Sequence, residues 1–150
     1  MLDIINETDE IIDKRDFKRL INFAFQKLYL GKNVELSLMF VDEPKMEELH
    51  INWLDLPGPT DVMSFPMDLL EAGTPNNPVN DGILGDIVLC PTVTRAQAKA
   101  AGHSERKENC LLVLHGILHL LGHDHYEADE KKVMFELQDK LLKEYLNTFP

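Results

Sequence analysis

His115-Gly116-Ile117-Leu118-His119-Leu120-Leu121-Gly122-His123-Asp124-His125 holds four of the chain's six histidines. The apolar residues between them read as a helix, in which His115 and His119 lie one turn apart, roughly 6 Å along the axis. Two imidazoles then share one face and can hold one ion. Gly122 falls where a helix stops on a residue tolerant of the left-handed conformation. Past that turn the chain can fold back, so that a third histidine reaches the same ion. Three nitrogen ligands with a fourth position left to water is the arrangement of a catalytic zinc site.

The spacing resembles the zincin protease pattern His-Glu-x-x-His, which metzincins extend by x-x-Gly-x-x-His. Here the histidines fall at 115, 119 and 125, with Gly122 in the glycine slot. The slot of the glutamate that serves those proteases as general base holds Gly116. The metal cage is present and the protease's base is absent, which points to a metal-dependent hydrolase that is not a protease. The plainer reading, histidines satisfied by hydrogen bonds or solvent, leaves this spacing unexplained. His123, two residues before the third slot, is the alternative third ligand, because sequence does not fix turn geometry. His50 and His103 read as ordinary, partly exposed histidines.

A chain of 150 residues, 44% hydrophobic and 27% charged, has the make-up of one soluble globular domain spanning residues 1–150. The opening Met1-Leu2-Asp3-Ile4-Ile5-Asn6-Glu7 lacks the basic-then-apolar order of a signal peptide. The longest apolar run, Cys110 to Leu121, is interrupted by histidines and too short to span a bilayer. A cytoplasmic location with no membrane partner is expected. Cys90 and Cys110 sit in apolar contexts and read as buried free thiols. The net charge of −11 argues against broad attraction to nucleic acid, though not against a local basic groove.

Leu2 to Asn6 reads as a strand. Phe17, Leu20, Ile21, Ala24, Phe25 and Leu28 recur at helical spacing, giving a helix from about Asp13 to Leu30 that Gly31 ends. Val34 to Val41 alternates as a strand, and a helix from Glu43 to Leu54 stops before Pro57-Gly58-Pro59. Asp61 to Phe65 is extended, with Pro66 marking an edge or a strand end. Residues 69–82 read as a flexible loop and Leu84 to Cys90 as a central strand. Pro91 opens a helix that Gly102 ends, and Ser104 caps the one carrying His115 and His119. A last helix runs from Asp129 to about Leu146, with Val133, Leu137, Leu141 and Tyr145 facing inward. The order βαβαββααα predicts an α+β layer: about four strands in one sheet, helices packed on it, and a zincin-like metal site.

Thr60-Asp61-Val62-Met63-Ser64-Phe65-Pro66, Leu84-Gly85-Asp86-Ile87-Val88 and the histidine stretch together resemble the YbeY family of bacterial metal-dependent endoribonucleases. The family's strongest signature is similar to His-Gly-x-Leu-His-Leu-x-Gly-Tyr-Asp-His, from which this chain departs at His123, in the tyrosine slot. The resemblance implies that His115, His119 and His125 bind one zinc ion; another divalent transition metal also suits imidazole. It implies that Thr60 to Pro66 line the cleft, with Thr60, Asp61 and Ser64 as substrate-binding candidates, and that Asp86 lies near the metal. The implied activity is cleavage of single-stranded rRNA in 3′-end maturation of small-subunit (16S) rRNA and in ribosome quality control. The small ribosomal subunit and its proteins would be the partners. Many members place an RNA-contacting arginine where this chain has Leu54, so that role falls to Arg95 or Lys99, or phosphate contact is weaker.

Zinc held by three neutral imidazoles makes hydroxide available near neutrality and polarises a phosphoryl oxygen. A proton carrier is still required, and Asp86, Asp124 and Glu108 are the candidates. Each has a plainer reading: Asp86 as a helix cap, Asp124 as a partner orienting a histidine, Glu108 in a surface ion pair. Trp53 and Phe65 can stack bases or serve as core. Two rival functions stand beside the nuclease. One is a metalloprotease, disfavoured by Gly116. The other is a non-catalytic ribosome-assembly factor braced by zinc, disfavoured by a three-ligand site.

Overall fold

The computed structural model describes residues 2–123 and 127–150. Strand β1 (Leu2–Asn6), helix α1 (Lys14–Lys27), strand β2 (Leu30–Phe40), helix α2 (Glu43–Leu54), strands β3 (Val62–Pro66) and β4 (Val79–Leu89), and helices α3 (Pro91–Ala101), α4 (Glu105–Leu120) and α5 (Ala128–Thr148) follow in that order. The four strands form one sheet in the order β1-β2-β4-β3. β1, β2 and β4 run parallel and β3 runs antiparallel to β4, which makes β3 an edge strand. This is the α+β layer the sequence predicts. Among the described residues no helix is long and apolar enough to cross a membrane.

The pleat sorts β3 and β4 between two faces. Ser64 pairs with Ile87, and both approach Gly116 of α4. Their neighbours Phe65 and Asp86 therefore point to the opposite face, where Met63 and Val88 join Met46 of α2 in a small second core. The main core lies on the other side, between the sheet and α1, α4 and α5. α4 is buried almost all round, including Leu112, Val113, Leu114, Ile117 and Leu118, as expected of a helix apolar on every face.

α4 is held at both ends by devices the sequence announces. Ser104 Oγ accepts the Lys107 backbone N–H at 3.1 Å. At the other end Gly122 takes φ 91° and donates its N–H to His119 O at 3.0 Å, while the His123 N–H reaches Leu118 O at 3.0 Å. That pair of bonds is a Schellman motif, and it ends the helix.

Several boundaries differ from the sequence reading. α1 ends at Lys27, and Tyr29 rather than Gly31 takes the left-handed turn, at φ 56°. Gly31 lies inside β2, where a Cβ would come within 3.2 Å of the Val79 carbonyl oxygen and the Asn80 Cα. Its role is close approach of two strands. The 69–82 loop is shorter than expected, because Thr74 and Asn77 pair across a tight turn and β4 already begins at Val79. On α5, Val133 is 56% exposed, while Met134, Gln138, Leu141, Leu142 and Tyr145 face the core. Cys90 and Cys110 are buried free thiols, and burial pushes the Cys110 thiol up to about 12.

Asp16 ties α1 to α4 and α5. It accepts from Arg106 Nε at 2.8 Å, from Arg19 Nη2 at 3.1 Å and from the Tyr145 hydroxyl. Burial alone would raise its pKa, but the bonds from Arg106, Tyr145 and Arg19 outweigh this and hold the carboxyl at about 2. A folded value below the unfolded one gives stability that is complete above about pH 4 and lost as pH falls through about 2. At about 1.4 kcal/mol per unit, screened by partial exposure, the contribution is at most about 2 kcal/mol. Asp16→Asn is expected to lower stability by about that amount near neutrality. Urea titrations of both proteins should show the gap closing as pH drops from about 4 towards about 2.

Gly85 carries a second constraint. It sits at φ 143°, opposite Pro66 and beside a register shift in β4, and an added Cβ would collide with the Phe65 carbonyl oxygen. Gly85→Ala is expected to destabilise the fold by about 2–4 kcal/mol, read from the urea midpoint.

Candidate active site

A groove of about 790 Å³ runs along the free edge of β3, between the end of α2 and the paired helices α4 and α5. Asp61, Ser64, Glu108, His115 and His119 all line it. On an α-helix, positions 108, 115 and 119 are separated by seven and four residues, which brings them onto one stripe. That stripe faces the groove, and on the C-terminal half of α4 its histidines are the residues left partly exposed.

The rings of His115 and His119 lie 4.5 Å apart, centroid to centroid, and nearly perpendicular. His115 Nδ1 is 2.7 Å from Oε1 of Gln138 on α5. With the amide oxygen accepting, the proton sits on Nδ1 and the lone pair on Nε2. That tautomer presents the Nε2 lone pair to a metal, and a hydrogen bond at the second nitrogen is the usual way to fix it. The two imidazoles thus fit a shared ion on their own chemistry. His125 and Asp124, the expected third ligand and its neighbour, lie outside the described residues. His123 is part-buried and absent from the groove lining.

Glu108 is buried at the N-terminal end of the stripe, 8% exposed, in the first turn of α4. The helix dipole favours an anion there. Its Oε2 is bonded to His103 Nε2, so His103, partly exposed as the sequence suggests, is paired with a carboxylate of the groove. Asp61 is committed differently: Oδ1 accepts the Val62 N–H at 2.7 Å and the Thr60 hydroxyl at 3.2 Å, fixing the entry into β3. Thr60 reaches the site only through Asp61. Asp86 is exposed on the α2 face of the sheet and does not line the groove. The pleat of β4 points it away from α4.

Gly116 explains the missing protease glutamate. A Cβ at this position would come within 3.0 Å of Ile87 Cδ1 and 3.2 Å of Ser64 Oγ. The helix crosses the sheet too closely here for any long side chain to lie between them. Leu54, in the slot of the expected arginine, does line the groove. Arg95 does not: it pairs with Glu10 at 2.6 Å and Glu105 at 3.3 Å around a separate pocket. Lys99 is also absent from the groove.

Sequence reasoning missed Gln138. Its signal is a lone polar residue within the stripe Met134, Gln138, Leu141, Leu142, Tyr145, and it is 2% exposed. A polar side chain that deep has to be paired, and here its partner is a site histidine.

The family model described as Endoribonuclease YbeY matches residues 3–146. A protein of that name from Beutenbergia cavernae is 49% identical over 144 residues, covering 96% of both chains. Another, from Paenarthrobacter aurescens, is 50% identical over 145 residues, covering 97% of this chain and 92% of its own. The solution structure of TM1509 from Thermotoga maritima superposes with a TM-score of 0.67 at 27% identity, over 99% of this chain and 91% of that one. The match runs nearly end to end and includes the strands and helices that build the groove. The chain belongs to the Endoribonuclease YbeY family.

Proposed function

We propose that this chain is a single-strand-specific, zinc-dependent endoribonuclease, acting in 3′-end maturation of small-subunit (16S) rRNA and in ribosome quality control. Its partners on this reading are rRNA and the small ribosomal subunit with its proteins, in the cytoplasm. Family membership supports the hydrolytic endoribonuclease. The observation that carries the metal-dependent reading is the convergence of His115 and His119 in one groove, with Gln138 fixing the tautomer of the first.

His115 and His119, with His125 as the third member of the sequence pattern, are the residues that would hold the ion. Such an ion supplies an activated water and polarisation of a phosphoryl oxygen. The remaining steps fall to the chain. Gln138 keeps His115 oriented. Ser64, on the floor beside Gly116, is placed to hydrogen-bond substrate. Glu108 is the groove carboxylate not engaged with backbone, and it is placed to take or deliver a proton with His103 behind it. Asp61 holds the groove wall.

Zinc-loaded protein is expected to cut a single-stranded rRNA fragment and to leave unfolded casein intact. Chelated protein and His115→Ala should cut neither. Cleavage of casein would reverse the reading of Gly116. Retention of RNA without cleavage would favour the assembly-factor role.

Gln138→Leu is expected to weaken zinc affinity by about 10- to 100-fold, measured by competition with a chromophoric chelator. Gln138→Glu, which keeps an acceptor facing Nδ1, should restore most of it. Equal affinity in all three proteins would remove Gln138 from the site.

A further inference from the structure

The groove is unusual for a nuclease in its charge. Among the described residues that line it there is no lysine or arginine, while Asp61 and Glu108 are present. The chain as a whole carries −11. A phosphate-tracking mode of RNA binding needs cations along the path, and each neutralised phosphate adds salt dependence. The lining is instead apolar and aromatic, with Trp53, Phe65, Leu111, Leu112 and Phe135.

Within that lining Trp53 is anomalous. It sits at the end of α2 on the groove rim and is 66% exposed. Its ring meets Phe65 edge to face, centroids 5.5 Å apart and planes at 67°. A large indole left mostly to solvent belongs to neither core. It presents a flat surface at the entrance to the site that holds His115 and His119.

We infer that Trp53 is the stacking platform for a nucleobase of the RNA substrate, and that this chain grips RNA by its bases rather than by its phosphates. The inference rests on the endoribonuclease reading and deepens it. Stacking is sequence-tolerant and requires an unpaired base, because a duplex hides both base faces. Single-strand preference follows from the platform itself. Binding by this mode depends little on salt: one phosphate contact changes affinity about 2.6-fold between about 50 and 200 mM salt, and four change it nearly 50-fold.

Trp53 is the chain's single tryptophan, so fluorescence excited selectively at tryptophan reports this position alone. Zinc-loaded protein is mixed in a stopped-flow instrument with a short single-stranded RNA, the same RNA as a duplex, or an abasic sugar-phosphate oligomer. Cleavage of the RNA is followed in parallel. Quenching by the single strand only, with affinity changing less than about threefold over that salt range, is the expected result. Trp53→Ala should raise KM on the order of ten- to a hundredfold with kcat changed far less, and Trp53→Phe should recover most of the loss. Equal quenching by the abasic oligomer, or a steep salt slope, overturns the proposal in favour of phosphate binding. RNA that is cut with no change in fluorescence overturns it while the nuclease reading stands. Quenching without cutting leaves the platform standing and overturns the nuclease. Fluorescence that shifts with protein concentration alone, and not with RNA, assigns the indole to a protein contact.

Discussion

The close crossing of α4 over β3 and β4 is the contact on which the rest depends. Gly116 has only a hydrogen atom to place between the helix and the Ile87 and Ser64 side chains. Gly85 makes room in the same way for the strand opposite it. Protein interiors are packed densely enough that one side chain's worth of separation here would move the whole helix. Because α4 lies this near the sheet, its histidine stripe emerges at the free edge of β3. The same approach that excludes a glutamate from position 116 puts His115 and His119 beside the free edge of the sheet.

That arrangement was largely legible in the sequence because two strong signals coincide in α4. Its apolar content marked a buried helix, and its histidine spacing marked one face of it. The caps at Ser104 and Gly122 were legible for the same reason: each is a local chemical requirement that one residue type meets. The failures are of a different kind. Gly31 read as a helix stop because glycine is the usual left-handed residue, yet Tyr29 takes that conformation and Gly31 serves a strand contact. Which glycine is conformational and which is spatial depends on neighbours that are distant in sequence.

Asp86 and Gln138 show the same limit at the site. Asp86 lies in a block typical of the family, but alternation along β4 sends its side chain to the α2 face, and a bulge just before it resets the count. Position in a motif did not reveal facing. Gln138 lies outside every recognisable motif, and on α5 Leu137, Leu141 and Tyr145 pack on the core as read, while Met134 replaces the exposed Val133. Gln138 is buried beside them, and a buried glutamine on a helix packed against the histidine helix identifies its partner almost by elimination.

The charge of the molecule bears on how such a site meets its substrate. At −11 the long-range field opposes the approach of RNA, and no cation in the described groove offsets it locally. The favourable energy must then come from groups that act only on contact. An ion at the histidines would engage one phosphate, and aromatic rims engage exposed bases. Contact terms of this kind discriminate by shape, since a paired strand cannot offer a base to Trp53. A positively charged groove would bind duplex and single strand alike and would need some other feature to tell them apart. Here weak attraction at a distance and selective attraction at the rim are two consequences of one composition. Leu54, in the slot of the expected arginine, is then consistent with the rest of the groove, whose described lining holds no lysine or arginine.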